Sequence, residues 1–197
     1  QHILKAGQHL LELINEVLDL SKIESGNMTI SIEEVPLHSL LSEILELLQP
    51  MLNAKKISFN AAPLETSGIT VLADRVRLKQ VLLNLISNAV KYNHPGGSIS
   101  VACRKLEDSK IQISVQDTGV GISPENLEKI FNPFHRVESK TEPIEGTGIG
   151  LTISRKLIHM INGSLEVQSD EGKGSCFFVT LPEAGSPSSF EESEPTP

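Results

Sequence analysis

Residues 80–92 read Gln80-Val-Leu-Leu-Asn84-Leu-Ile-Ser-Asn88-Ala-Val-Lys91-Tyr92, which is the most informative stretch of the sequence. Its apolar side chains recur at the spacing of one helix face. At about 100° per residue, Asn84, Asn88 and Lys91 gather on one flank of that apolar stripe, where they can meet one ligand. Mg²⁺ takes oxygen ligands and keeps waters and phosphate oxygens, so these side chains suit a magnesium ion carried by a polyphosphate. A solvated, Asn-rich helix edge is the alternative, because polar pairs at this spacing are common.

A strand pattern leads to the second polar signal. Its apolar positions, Ile111, Ile113 and Val115, alternate with polar residues. The same parity turns Asp117 toward the apolar side, just before the glycine-rich run 118–121 breaks the strand. A buried carboxylate needs hydrogen-bond donors, and the exocyclic amine of adenine is a suitable one. The alternative is an Asp-Thr-Gly turn that the aspartate caps.

The third segment is a glycine-rich run that opens a helix. It reads Glu145-Gly146-Thr147-Gly148-Ile149-Gly150-Leu151. Apolar residues follow at helical spacing until the stop signal Asn162-Gly163. Backbone N–H groups at a helix N-terminus, left accessible by glycine, form an anion site for phosphates. A flexible loop explains an isolated glycine cluster equally well, and the spacing fits neither a P-loop nor a dinucleotide fold.

A proline turn framed by Phe131 and Phe134 lies between the second and third segments. A polar, poorly periodic run follows it. This run predicts a mobile lid whose hinge is anchored by the two phenylalanines, with Arg136 able to reach a phosphate. A solvated surface arginine is the alternative.

Taken in order, these segments resemble the N, G1, F and G2 boxes of sensor histidine kinases. The matching motifs are Asn84…Asn88-Ala-Val-Lys-Tyr, Asp117-x-Gly119-x-Gly121, Phe131-x-Pro-Phe134 and Gly146-Thr-Gly148-x-Gly150-Leu. The resemblance extends from residue 1 to residue 182, because the N-terminal segment also looks like the second dimerisation helix and linker of those kinases.

The resemblance implies ATP and Mg²⁺ as cofactors. Asn88 would ligate the metal with Asn84 assisting, and Lys91 and Arg136 would contact phosphates. Asn84, Lys91 and Arg136 would be the catalytic residues. Asp117 would accept a hydrogen bond from the adenine amine, and Ser175 would support it through water. The implied nucleotide-binding set is Asn84, Asn88, Lys91, Tyr92, Asp117, Gly119, Gly121, Ile122, Phe134, Arg136, Gly146, Thr147, Gly148, Ile149, Gly150, Leu151 and Ser175.

The residue at position 84 separates two kinds of chemistry. DNA gyrase, mismatch-repair and heat-shock chaperone ATPases of the same fold carry a glutamate there, whereas this chain has Asn84. Asparagine is no general base at neutral pH, so phosphoryl transfer is favoured over hydrolysis. The resemblance implies a kinase that passes the ATP γ-phosphoryl group to a histidine, for relay to an aspartate of a response-regulator receiver domain.

Two other functions stay open. One is an ATP-hydrolysing conformational clamp of the same fold, which Asn84 opposes. The other is a catalytically silent, nucleotide-sensing scaffold, which the intact boxes oppose. Asn132 and His135 stand where the family commonly has acidic and aromatic residues, and this departure concerns the lid.

None of the six histidines has the acidic neighbour and following proline turn of the family's phosphoacceptor box. We therefore expect the acceptor histidine to lie on a helix outside this sequence, which would begin after the first bundle helix. Ile3, Leu10 and Val17 recur every seven residues and predict a helix that packs on partner helices. Its apolar stripe is expected to be exposed, self-paired or docked on the nucleotide domain. The full-length protein is expected to be a homodimer.

Composition limits the class of partner and the compartment. The 197 residues carry a net charge of −8, which argues against a nucleic-acid partner. Cys103 and Cys176 show neither metal-ligand spacing nor a disulfide framework, as is usual in a reducing cytosol. We expect a cytoplasmic location, with any membrane anchor in segments outside this sequence.

The expected fold is α/β (α+β): a two-layer α/β sandwich with a mixed sheet covered by helices, preceded by one long bundle helix. The expected parts are the bundle helix 1–25, a linker 26–36, the ATP-binding domain 37–182 and a disordered tail or linker 183–197. Predicted helices after the first cover 37–54, 74–92, 123–130 and 149–161. Predicted strands cover 57–61, 69–73, 98–106, 110–116, 164–169 and 174–181.

Overall fold

The computed structural model describes residues 2–61, 68–135 and 146–185. Within them lie five helices and seven strands. The helices are α1 His2–Glu24, α2 Leu37–Lys55, α3 Arg75–Lys91, α4 Pro124–Leu127 and α5 Gly150–Met160. The strands are β1 Glu33–Pro36, β2 Ser58–Ala61, β3 Thr70–Ala73, β4 Ser98–Leu106, β5 Lys110–Asp117, β6 Ser164–Asp170 and β7 Gly174–Pro182.

The central sheet has five strands in the order β2-β4-β5-β7-β6. β2 runs parallel to β4, and the other neighbours are antiparallel. The alternating apolar positions of β4, β5 and β7 are buried in one core with the apolar stripes of α2, α3 and α5. Each fully buried aliphatic side chain contributes about 1.5–3 kcal/mol of hydrophobic free energy. The predicted two-layer sandwich with a mixed sheet is confirmed.

Both ends of α3 are fixed by side chains that lie outside the helix. Asp74 caps the N-terminus, as predicted, by accepting from the Arg77 N–H at 3.0 Å, and it also accepts from the Ser31 N–H at 3.0 Å. At the C-terminus, Lys55 Nζ donates to three carbonyl oxygens, those of Val90, Lys91 and Asn93, at 3.1, 2.7 and 3.3 Å. Helix ends carry unpaired backbone groups, so these bonds hold the last turn of α3 in place.

The segment ahead of α2 differs from the predicted linker 26–36. Glu33–Pro36 forms β1, which pairs antiparallel with β3 in a separate two-stranded sheet. Val35 lies opposite Val71 and is 1% exposed. A run of four residues that begins with two glutamates is too short to show an alternating pattern, so the sequence does not predict this strand. α4 is also shorter than the predicted helix 123–130.

α1 docks on the catalytic domain along one face and leaves another face uncovered. Leu20 is buried, and Leu13 and Ile23 pack against the core. Asp19 accepts from Gln80 Nε2 at 3.1 Å, while Lys156 Nζ and Glu24 form an ion pair at 3.3 Å. The exposed face carries Leu10, Leu11, Ile14, Val17 and Leu18. Of the three expected arrangements, the structure shows docking with part of the stripe exposed.

The start of the predicted tail belongs to the fold. Glu183 forms a β-bridge with Val71 and an ion pair with Lys105 at 2.6 Å. The remainder, residues 186–197, lies outside the described residues. Across the described ranges, every helix is too short or too polar to cross a membrane.

Candidate nucleotide site

A cavity of about 460 Å³ opens between α3, α5 and the end of β5. This volume lies in the range of small-molecule sites. The predicted residues that line it are Asn84, Asn88, Lys91, Tyr92, Asp117, Gly121, Ile122, Gly146, Thr147, Gly148, Gly150, Leu151 and Ser175. Gly119, Ile149 and Phe134 lie outside its lining. Arg136 is outside the described residues.

Asp117 forms one end of the cavity, which we call the base end. The parity of β5 turns it into the core, where it is 6% exposed. Its Oδ1 accepts from the Gly119 N–H at 2.7 Å. Burial raises the pKa of Asp117 above its ordinary value, and the N–H groups of Gly119 and Ser175 partly offset that rise. These donors favour a carboxylate that has acceptor capacity left for a ligand.

Two glycines let backbone pack directly against backbone at the base end. A Cβ on Gly119 would lie 2.4 Å from the carbonyl oxygen of Tyr92. Gly174 has φ +97°, and a Cβ there would lie 2.0 Å from the Asp117 carbonyl oxygen. Gly119 therefore shapes the site without lining it, because it holds the turn after β5 against the end of α3.

Ser169 also supports the base end, although no sequence motif indicates it. Its Oγ accepts from the Ile122 N–H at 2.8 Å and lies 3.0 Å from Ser175 Oγ. Ser169 and Ser175 are directly opposed in the β6–β7 hairpin. This pairing follows from counting residues outward from the tight turn between β6 and β7. The predicted water-mediated role of Ser175 stays a prediction, while its main-chain N–H helps to lower the pKa of Asp117.

Asn84 and Asn88 line the cavity from α3. Asn88 Nδ2 donates to Asn84 Oδ1 at 3.3 Å, and Asn84 Nδ2 donates to Ser154 Oγ at 2.9 Å. α5 approaches α3 closely here, since a Cβ on Gly150 would lie 2.6 Å from Asn84 Oδ1. The described residues contain no group of three or more His, Cys, Asp or Glu that could hold a metal alone. This donor set fits a cation whose other ligands are phosphate oxygens and water.

The glycine-rich run before α5 forms the third side, which we call the phosphate end. Thr147 Oγ1 accepts from the Ile149 N–H at 3.2 Å and donates to the carboxylate of Glu16. Glu16 comes from α1 and lines the cavity. No local signal predicts it, because the contact joins segments 131 residues apart. A negative charge thus lies where phosphates are expected.

The two phenylalanines of the proline turn behave differently. Phe131 is 7% exposed, its carbonyl accepts from Thr152 Oγ1 at 2.8 Å, and the guanidinium carbon of Arg155 lies 4.5 Å from its ring centroid. Phe134 is 64% exposed. The prediction that both side chains anchor the hinge is therefore wrong for Phe134. Most of the predicted lid, residues 136–145, lies outside the described residues.

The remaining lining residues are not among those that the resemblance implies. His135 Nε2 lies 3.2 Å from Asn126 Oδ1 at the edge of the cavity. Besides Glu16, the unpredicted lining residues are Met51, Ser87, Ala89, Val120, Ile130, His135 and Phe177. Ser87, Ala89, Val120 and His135 are sequence neighbours of predicted residues, whereas the others depend on packing between elements that are far apart in sequence.

Both cysteines are free, as the sequence predicts. Burial raises the pKa of Cys103 to about 11. Burial and the nearby Asp117 charge also raise the pKa of Cys176. Neither thiol is a reactive thiolate at neutral pH.

Residues 73–185, more than half of the chain, match the family described as histidine kinase-, DNA gyrase B- and HSP90-like ATPase. The autoinducer 2 sensor kinase/phosphatase LuxQ of Vibrio vulnificus is 39% identical over 186 residues, which cover 90% of this chain and 21% of LuxQ. The chain spans about a fifth of the length of the curated relatives it matches.

Two solved structures are similar along most of the chain. Full-length ShkA in complex with AMPPNP has a TM-score of 0.78 and 30% identity, covering 91% of this chain and 37% of ShkA. Histidine kinase ThkA in complex with response regulator protein TrrA has a TM-score of 0.73 and 28% identity, covering 92% of this chain and 49% of ThkA.

Proposed function

The chain belongs to the histidine kinase-, DNA gyrase B- and HSP90-like ATPase family, as an ATP-binding catalytic domain of the sensor histidine kinase type, and we propose that it transfers the γ-phosphoryl group of ATP to a histidine outside this sequence. The phosphoryl group would then pass to a response-regulator aspartate. None of the six histidines present has the motif of an acceptor.

One observation carries this proposal: Asp117 and Asn88 line the same cavity. The buried carboxylate suits the amine of adenine, and the amide and the glycine-rich run suit a metal-bound triphosphate. A similar kinase, ShkA, was crystallised with AMPPNP, which has both an adenine base and a triphosphate chain. Lys91 lines the same cavity and, with Arg136, is proposed to contact phosphates.

Mg²⁺ fits the Asn88 side of the cavity. Asn88 would hold the ion, with Asn84 beside it, and phosphate oxygens and waters would complete the shell. When bound, the ion neutralises phosphate charge. The chain's own residues position the nucleotide around it and exclude bulk water.

Transfer is favoured over hydrolysis by the surroundings of Asn84. Both ends of its amide are engaged, with Ser154 and Asn88, and an amide does not take a proton from water at neutral pH. Glu16 is the observation that favours hydrolysis as a second candidate, because its carboxylate lines the phosphate end. Because this carboxylate accepts a hydrogen bond from Thr147, it is not free to activate water.

Partners follow from the same proposal. The exposed apolar face of α1, Leu10 to Leu18, suits a helical bundle with the acceptor helix and a second subunit. The similar kinase ThkA was solved with a response regulator, which supports a receiver domain as the downstream partner. A cytoplasmic location is proposed because both ATP and a receiver domain are met there.

The test is a labelling experiment with [γ-³²P]ATP. The chain is incubated alone and with a full-length version of the protein whose own site carries Asn88→Ala and Asp117→Asn. We expect acid-labile label on the full-length partner and none on the chain. The chain with Asn88→Ala is the matched control and should label the partner poorly. Stoichiometric label on His2 or His9, or phosphate release without any label, would overturn the proposal.

A further inference from the structure

Ser154 lies on α5, away from the four boxes, and is 2% exposed. Its hydroxyl faces α3, where Oγ accepts a hydrogen bond from Asn84 Nδ2 at 2.9 Å. Gly150, one turn earlier, lies on the same face of α5 and lets the two helices approach. Ser154 and Gly150 together form the surface against which the Asn84 amide is held.

This bond anchors the Asn84 amide in one orientation. A carboxamide has one donor end and one acceptor end. In the structure Ser154 engages the donor end, while Asn84 Oδ1 faces the neighbouring turn of α3 and accepts from Asn88 Nδ2 at 3.3 Å. Without the hydroxyl, the Asn84 amide could rotate and present its nitrogen to Asn88.

The orientation of Asn84 in turn fixes Asn88. With its nitrogen bonded to Asn84, the planar Asn88 amide directs its oxygen away from Asn84, and Asn88 itself lines the cavity. An oxygen is the atom that Mg²⁺ accepts, whereas an amide nitrogen is not. The direction of the hydrogen bonds therefore assigns the two asparagines different tasks.

We propose that Ser154 is a positioning residue that acts through Asn84 to keep the Asn88 carbonyl oxygen aimed at the metal-bound phosphates. Asn88 is then the metal ligand, and Asn84 orients it. This inference rests on the proposed function, since it needs a magnesium nucleotide in the cavity. It adds Ser154, 70 residues away in sequence, to the residues that determine metal use.

The test compares ATP affinity with Mg²⁺ and with a chelator, measured by calorimetry on the whole chain. Ser154→Ala should lower the Mg²⁺-dependent gain in ATP affinity about tenfold. Its metal-free ATP affinity should equal that of the wild-type chain. Ser154→Thr, which keeps the hydroxyl, should restore the gain, and Ser154→Cys serves in place of Ser154→Ala if the latter does not fold.

A double-mutant cycle separates positioning from packing. Ser154→Ala should cause no further loss in an Asn84→Ala background, because the proposed effect passes through Asn84. Ser114→Ala is the matched control, since its hydroxyl bonds the Ala102 carbonyl within the sheet at 3.3 Å. It should leave the Mg²⁺-dependent gain unchanged.

A second measurement needs no ligand. In nitrogen-edited NMR spectra of the free chain, the Asn84 side-chain NH₂ should exchange slowly with water in the wild type and in Ser154→Thr. It should exchange faster in Ser154→Ala.

The outcomes are distinct. A folded Ser154→Ala chain with an unchanged Mg²⁺-dependent gain, or with equal losses in both conditions, overturns the positioning role alone. A wild-type chain that binds ATP without any gain from Mg²⁺ overturns both the metal site and the positioning role. A wild-type chain that binds no ATP overturns the proposed function.

Discussion

The base end and the phosphate end of the cavity are built in different ways. At the base end, Asp117 accepts from the Gly119 N–H, and glycines pack backbone on backbone. At the phosphate end, side chains from separate helices meet, and Thr147 is bonded to Glu16 of α1. The base end therefore belongs to the sheet, whereas the phosphate end depends on how α1 docks. We expect the first to control which nucleotide binds and the second to control how tightly.

The largest effect should come from breaking the base end at Gly174. Gly174→Ala places a Cβ 2.0 Å from the Asp117 carbonyl oxygen at φ +97°, so it should lower the free energy of unfolding by about 3 kcal/mol or more. Gly172→Ala is the control, because φ there is +83° but the space is open. It should cost about 1–2 kcal/mol. Urea denaturation measures both, and equal losses would show that Gly174 is not a close contact.

Asp117→Asn should change base selection without breaking the fold. The carboxylate accepts only, so it can receive the adenine amine but faces the guanine carbonyl with like polarity. Replacing it with an amide should weaken ATP binding by about 1–3 kcal/mol and lower the ATP-to-GTP affinity ratio. Competition binding with both nucleotides checks this, and an unchanged ratio would mean that Asp117 only caps its turn.

Asn88→Ala, on the α3 side of the cavity, should weaken ATP binding. It removes the proposed metal-ligand oxygen, and a cost of about 1–2 kcal/mol is expected because the side chain is only partly buried. The loss should appear with Mg²⁺ and vanish in a chelator. If calorimetry shows an unchanged affinity for Mg-ATP, Asn88 is only part of a solvated helix edge.

The pH dependence of nucleotide selection should also distinguish the base end from the phosphate end. Because burial raises the pKa of Asp117, its carboxylate takes up a proton at a higher pH than an ordinary aspartate does. Protonation adds an O–H donor that can face guanine, so the ATP-to-GTP ratio should fall as the pH falls through that pKa. The Asp117→Asn chain should show no such titration. This would be contradicted if the ATP-to-GTP affinity ratio of the wild-type chain stayed constant down to the pH at which an ordinary aspartate is protonated.

The smallest effect should come from Glu16→Gln at the phosphate end. Removing this charge relieves repulsion of the phosphates and should tighten Mg-ATP binding by up to about 1 kcal/mol. The gain should shrink as salt is added. Asp19→Asn, which changes a charge on the same helix outside the cavity lining, is the control. Weaker binding by Glu16→Gln would mean that the α1 contact supports the nucleotide.

The same contrast explains what the sequence could predict. The Asp117 parity, the Asp74 cap and the glycine-opened helix follow from local rules, and the structure confirms each of these elements. The sequence does not predict β1 or the roles of Ser169 and Glu16, because each depends on pairing or docking between distant segments. The sequence does not show that Phe131 and Phe134 differ, because two phenylalanines around a proline look alike. Only the Phe131 side chain packs in the core.

The most direct test of the account is a calorimetric titration of the wild-type chain with ATP and with GTP, each with and without Mg²⁺. If Asp117 and Asn88 hold the two ends of one nucleotide, ATP should bind about 10- to 100-fold more tightly than GTP. Its affinity should also rise with Mg²⁺. Equal affinity for the two nucleotides together with no effect of Mg²⁺ would contradict a shared site.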